Sequence, residues 1–358
     1  MRRAFSLLLG ALAVALAITA ARAADYPDVV PGGALRFPDD TGSHPAFRTE
    51  WWYVTGWLQT ADGGSLGFQV TFFRSRPASG AANPSRFAAQ QFVIAHAAIS
   101  DPQHGRLWHD ERIARAVFGL AAATEGGTHV RLRDWSLAAG TQGYRATVVA
   151  ADFGFELDLR PTSAPLVNGV AGYSQKGPDA RSASYYYSEP QLAVRGRVTR
   201  DGHATAVSGK AWLDHEWSSA YLDADSVGWD WLGLNLEDGG ALMAFRIRDR
   251  RGAARWGGGT LRTAAGATRA LLPSEVEFVP GRTWLSPRTA IRWPVEWQIK
   301  AGPLAFVLAP LIDDQESDSR RTTGAVYWEG AVTARTPGGV LGRGYLELTG
   351  YGERLQLR

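Results

Sequence analysis

From Glu50 to Gly352 the chain is written in short runs whose apolar residues tend to recur at every second position, divided by compact turns. EWWYVTGWLQ (50–59), SLGFQVTFFRS (65–75), QFVIAHAAIS (91–100), QLAVRGRVTR (191–200), GWDWLGLNLE (228–237), ALMAFRIRDR (241–250) and GYLELTGYG (344–352) are such runs, and ADGG, DPQHGR, DGH, EDGG, DRRG and TPGG are among the spacers. A period of two sends successive side chains to opposite faces of an extended strand, and short Asp- and Gly-rich spacers close hairpins. Such a chain must pair its strands antiparallel and bury one face of each, so an all-β fold with few helices is predicted. Residue usage agrees: 14 Trp, 14 Phe and 41 Gly stand against 2 Met, a balance that favours strands and tight turns.

An internal echo divides the chain. WWYVTGWLQTADGGSLGF (51–68) and WDWLGLNLEDGGALMAF (229–245) share an aromatic-x-aromatic start, a following Gly, a DGG turn and a return strand. Two related β-domains are expected, residues 24–219 and 220–358. A closed barrel removes exposed strand edges, and one of about eight strands can hold an elongated apolar ligand. A β-sandwich or jelly roll makes the same alternating segments, and composition leaves the two open.

Arg2 and Arg3 precede the apolar run LLLGALAVALAI, and Ala21-Arg22-Ala23 follows as a small-x-small cleavage pattern. Residues 1–23 are therefore expected to be a signal peptide directing export to the periplasm or beyond. The absence of Cys excludes a disulfide scaffold, a thiolate metal site and a Cys nucleophile. A net charge of +3 without a basic run gives no footprint for nucleic acid. Strands such as FRIRDR carry charge on both faces, unlike a membrane-spanning barrel.

The chemistry concentrates in AWLDHEWSS (211–219). On a strand, Lys210, Trp212, Asp214 and Glu216 share one face, and Ala211, Leu213, His215 and Trp217 the other. If the first face lines a cavity inside a closed sheet, the indole of Trp212 raises a carboxyl pKa toward neutrality and supplies a proton donor. The alternative is structural, with both carboxylates in hydrogen bonds or ion pairs with Lys210 and nearby arginines that close the barrel or join the domains. His215, alternating with Leu213 and Trp217, reads as a satisfied core histidine. His96, His104 and His109 lack a metal-ligand spacing, and no nucleophile elbow or phosphate loop is present. Aromatic stripes at Trp51, Tyr53 and Trp57, at Trp229 and Trp231, and at Tyr185-Tyr186-Tyr187 exceed what an aliphatic core needs; electron-rich rings around an acid also suit a carbocation.

HPAFRTEWWYVTGWL (44–58), VNGVAGYSQKG (167–177), ASYYYSEPQLAVRGRV (183–198), VSGKAWLDHEWSS (207–219) and YWEGAVTARTPGGVLGRGYLELTGY (327–351) resemble the carotenoid 1,2-hydratase-like, or AttH-type, family. The resemblance implies two lipocalin-like (calycin) antiparallel β-barrels side by side, with ligand space lined by aromatics. In its hydratase branch an aspartic acid protonates an isoprenoid double bond and water captures the tertiary cation, without metal or organic cofactor. Carried over, the acid is Asp214, its same-face neighbour Trp212, and the upstream aromatic falls at or near Tyr187. Trp51, Tyr53, Trp57, Tyr185, Glu216, Trp229 and Trp231 complete the expected ligand-binding set. The expected function is binding of a hydrophobic isoprenoid or lipid, with hydration by Asp214. Two alternatives stay open: a non-catalytic carrier serving an ABC-type envelope transporter, and a secreted carbohydrate-active protein using two same-face carboxylates.

Overall fold

A computed structural model describes residues 26–355 apart from 79–84 and 86–87. The expected signal segment, residues 1–23, lies outside the described residues. Among those described, every strand pairing is antiparallel, and the helical elements are two three-residue 3-10 turns, Asp39–Thr41 and Pro273–Glu275.

The first sheet has 13 strands. Its path runs from Leu107–Arg115 through Phe92–Ser100, Ser65–Ser75, Thr49–Thr60, His203–Ala220 and Ala183–Arg200 to Phe153–Arg160, then by short hairpins to Ala121–Ala123. The two 18-residue strands Ala183–Arg200 and His203–Ala220 form its spine. They are joined at Asp201-Gly202, where φ values of 47° and 78° supply the left-handed pair a two-residue hairpin needs. Arg112 draws the ends of the sheet together, bonding Asp134 and the carbonyl of Val149 while its guanidinium lies 4.4 Å from the centre of the Trp135 ring. The result is a nearly closed barrel.

The second sheet has 10 strands, running from Thr268–Leu271 through Ala254–Arg262, Ala241–Asp249, Ser226–Leu236, Gly339–Leu348 and Ala325–Thr336 to Val276–Pro280. It also curls on itself: Arg246 Nη1 donates to the carbonyl of Phe278 at 2.9 Å. The architecture is thus all-β, with two antiparallel barrels side by side.

Alternation decides what each barrel swallows. Trp52, Val54, Leu58, Phe68, Phe72, Leu213 and Trp217 fill the first interior, and Leu232, Leu234, Trp293, Trp297, Trp328 and Leu346 the second. Both are packed apolar cores, so the expectation of ligand space inside a closed sheet is corrected. Large rings at Trp52, Phe68, Trp135, Trp297 and Trp328 occupy the volume that a ligand-holding barrel leaves empty.

The opposite faces of the same strands meet between the barrels in a third apolar cluster that includes Tyr53, Tyr186, Trp212, Trp231, Phe245, Ile247 and Tyr345. Polar ties lock this contact: Gln191 Nε2 donates to the carbonyls of Leu236 and Gly240, and Trp57 Nε1 to that of Gly344. The approach is close at Gly67, where a Cβ would stand 2.6 Å from Ala331 Cβ and 2.7 Å from the Tyr345 hydroxyl.

Candidate active site between the two barrels

The echoed hairpins face each other across this contact. Trp51 stacks toward Trp229 at 6.3 Å between ring centres, and Tyr53 meets Trp231 edge-on at 5.4 Å. Beside them lies a cavity of about 740 Å3, its mouth included, walled by Phe73, Tyr221, Phe245, Ile247 and Tyr327 as well as by these rings.

Asp214, 2 % exposed, lines that cavity. Register places it between Tyr53 on one neighbouring strand and Ser188 on the other. Its Oδ2 accepts from the Tyr186 hydroxyl at 2.6 Å; its Oδ1 accepts from Ser188 Oγ at 2.5 Å and from Trp212 Nε1 at 2.6 Å. Burial pushes the carboxyl up to about 7, against the pull of these three hydrogen bonds. Among the described residues no cation pairs with it within 4 Å, so its environment favours the protonated form near neutrality.

Glu216, next on the same face, is paired instead: Lys176 Nζ lies 3.0 Å from its Oε1 and sits over the rings of Tyr186 and Phe245 at 4.8 and 4.4 Å. The expected partner Lys210 is exposed on the far part of the strand. Ion pairing through Lys210 and arginines is therefore corrected, while the hydrogen-bonding part of that alternative is what Asp214 does, with Tyr186, Ser188 and Trp212 as its donors. Asp214 has no cationic partner among the described residues, and Glu216 takes a lysine from a segment 40 residues upstream.

Trp51, Tyr53, Glu216, Trp229 and Trp231 reach the cavity as expected by alternation, and Trp212 holds Asp214 from the adjoining apolar cluster. Three residues do not come to it. Tyr187 turns into the first barrel, against Phe37 and His215; Tyr185 packs on Phe47 and Trp217; Trp57 lies further along its strand, bonded to Gly344. The tyrosine of the run that touches the acid is Tyr186, which also accepts from Trp231 Nε1 at 3.0 Å. In a run of three tyrosines a slip of one residue reverses the face. Pairing of Ser188 with Asp214 and of Tyr186 with Glu216 selects the even-numbered members.

Sequence reasoning also missed Lys176, Glu329 and Glu347. The two glutamates stand directly opposite each other on Ala325–Thr336 and Gly339–Leu348, and both line the cavity. Burial raises Glu329 to about 8; burial and the facing Glu329 raise Glu347. Their signal was present as single acids at apolar-flanked positions in YWEGA and GYLEL, but nothing local shows that these positions pair.

His215 is fully buried on the opposite face, its Nε2 2.9 Å from Glu50 Oε1 and its Nδ1 3.3 Å from the Tyr187 hydroxyl. With His44 these groups bring three potential ligand atoms within 4.8 Å of one another. Glu50 is already occupied: its Oε2 accepts from buried Arg74 Nε at 2.7 Å and from Ser43 Oγ at 3.1 Å, and its carboxyl lies well below the usual range through hydrogen bonds from His215 and His44 that outweigh burial. A cation beside the would-be metal ligand opposes a divalent ion, so the cluster serves as an ion-pair network inside the barrel. His96, near Thr322 and Ser319, and His104, stacked on Trp108, also have protein partners.

A profile of AttH-like proteins matches residues 28–351. A crystal structure of an AttH protein from Nitrosomonas europaea is 52 % identical, with a TM-score of 0.86 over 91 % of this chain and 100 % of that one. The kievitone hydratase of Nectria haematococca has the same fold, with a TM-score of 0.67 at 17 % identity over 92 % of this chain and 97 % of its own. In sequence, 184 residues align at 26 % identity with the kievitone hydratase of Fusarium solani subsp. phaseoli, about half of each chain (50 % and 51 %). Two barrels, a cavity between their aromatic faces and matches of this extent place the chain in the AttH-like family.

Proposed function

We propose that the protein binds an elongated, largely apolar molecule, an isoprenoid or lipid, between its barrels and adds water across a carbon–carbon double bond in it. Asp214 protonates the less substituted alkene carbon, leaving a tertiary carbocation; water adds to the cation and loses a proton, giving a tertiary alcohol. The observation that carries this reading is a buried carboxyl, held protonated up to about pH 7 by burial, in an aromatic-walled cavity. Protonating an alkene needs a strong acid held away from bulk water, and the rings of Trp229, Trp231 and Tyr53 offer the cation a favourable face. The hydratase activity named for a sequence relative supports the same direction. We also propose export to the periplasm, on the pattern of residues 1–23.

The test is incubation with a 3,3-dimethylallyl phenol in 18O-labelled water, followed by mass spectrometry. A product heavier by one labelled water, absent with Asp214→Asn while that variant still retains the probe, supports hydration. Retention of unchanged probe by both proteins would refute hydration and leave a carrier, the form expected of a transport-system accessory. A carbohydrate reading has less support, because Glu216 is tied to Lys176 and the cavity walls are mainly apolar.

A further inference from the structure

Hydration by this route needs a base as well as an acid, and among the described residues of the first barrel the carboxyls that line the cavity are Asp214 and Glu216. Glu216 is held by Lys176, and Asp214, a carboxylate once its proton has gone to carbon, has both oxygens taken up by the donors Tyr186, Ser188 and Trp212 on the face from which that proton left. Across the cavity, Glu329 and Glu347 form a directly opposed pair on neighbouring strands of the second barrel, in one cross-strand row with Trp231. Like charges so placed repel strongly away from bulk water, and the remedy is for two carboxyls to share one proton. Among the described residues Lys176 is the one cation lining the cavity, against the four carboxyls of Asp214, Glu216, Glu329 and Glu347.

A second observation shows that polar matter belongs in this space. The hydroxyls of Tyr53 and Tyr221 are buried, line the cavity and have no hydrogen-bond partner among the described residues. Tyr53 comes from the first barrel and lies within the electrostatic reach of both Glu329 and Glu347. A buried hydroxyl without a partner is costly, and the usual remedy is a ligand group or an ordered water. A molecule held between the Tyr53 hydroxyl and the glutamate pair would have a donor on one side and acceptors on the other.

We infer that Glu329 and Glu347 hold one proton between them and act as the base that takes a proton from the attacking water, seated against Tyr53. The inference rests on the hydratase reading above. The first barrel then supplies the acid and the second the base. Asp214 gives its proton to carbon, the water oxygen bonds to the cation, and the water's proton passes to the ionised member of the pair. Exchange of that proton with solvent, and reprotonation of Asp214, restore the starting state.

The experiment uses the full chain with the dimethylallyl phenol in deuterated water. Deuterium entering recovered probe reports protonation and its reversal, which need only Asp214; alcohol reports the complete reaction. Glu329→Gln/Glu347→Gln is expected to lower alcohol formation about a hundredfold or more while deuterium still enters the recovered probe. Asp214→Asn is expected to lose both signals. Isotope-edited infrared titration should show one protonated glutamate persisting at neutral pH, and in either single Gln variant the remaining carboxyl should titrate lower, its repulsive neighbour gone. Unchanged alcohol formation in the double variant overturns the base. Two ionised glutamates at neutral pH, or two protonated ones, overturn the shared proton, whatever the activity. A wild-type protein that neither hydrates nor exchanges the probe overturns the hydratase reading and the base with it, and leaves the shared proton to be judged by the titration.

Discussion

Asp214→Asn should make the protein more stable and less active, and the gain in stability should depend on pH. Asp214 has its carboxyl raised from an ordinary 3.8 to about 7, so the folded state holds a proton there that the unfolded chain has released. Stability therefore falls as pH rises through this window, by about 1.4 kcal/mol for each unit that separates the two values. With a separation of about 3 units between 3.8 and 7, the penalty grows to roughly 4 kcal/mol. It is absent below the unfolded value and complete above the folded one. Asn cannot ionise and retains an oxygen able to accept from Ser188 and Trp212, so the variant escapes the penalty. Urea unfolding of both proteins across this range reads the difference directly, provided the transitions are two-state with equal slopes. The advantage of Asn should widen steadily from about pH 4 to about pH 7 and then level off. A difference that stays flat with pH would refute a buried, raised Asp214, and the mechanism built on it would go with it.

Two other perturbations probe the surroundings of the acid. Tyr186→Phe removes a hydrogen bond to Asp214 worth about 1.5–3 kcal/mol to the carboxylate, so the alkaline limb of the rate profile should move up by about 1–2 units; an unchanged or lowered limb would show that Tyr186 does not set the acid. Gly67→Val forces a side chain against Ala331 and Tyr345, and should cost about 1–3 kcal/mol and weaken probe retention by parting the barrels; full retention in a denaturation and binding assay would place the ligand elsewhere.

Much of the site could be read from local alternation. A period of two put Trp212, Asp214 and Glu216 on one face and His215 on the other, and the structure keeps that division. The echo around the two DGG turns marked the two hairpins whose rings, Trp51 with Trp229 and Tyr53 with Trp231, meet across the cavity. Other features could not be read in this way. The resemblance puts the upstream aromatic at or near Tyr187, and within that run of three tyrosines only the register with the Asp214 strand picks out Tyr186. Lys210 was the nearest cation in sequence to Glu216, yet Lys176 holds it because the 173–175 strand folds back beside Tyr185.

The sequence by itself determined that the chain is all-β, how each strand divides into two faces, and that an acid sits beside an indole on one of them, because each of these depends on residues within one strand's length. Only the tertiary structure decided that the barrel interiors are filled, that the open space lies between them, and that Glu329 and Glu347 oppose each other there. Those outcomes depend on strand register and on which surfaces pack together, and both are settled by contacts between residues far apart in the chain, to which local periodicity is blind.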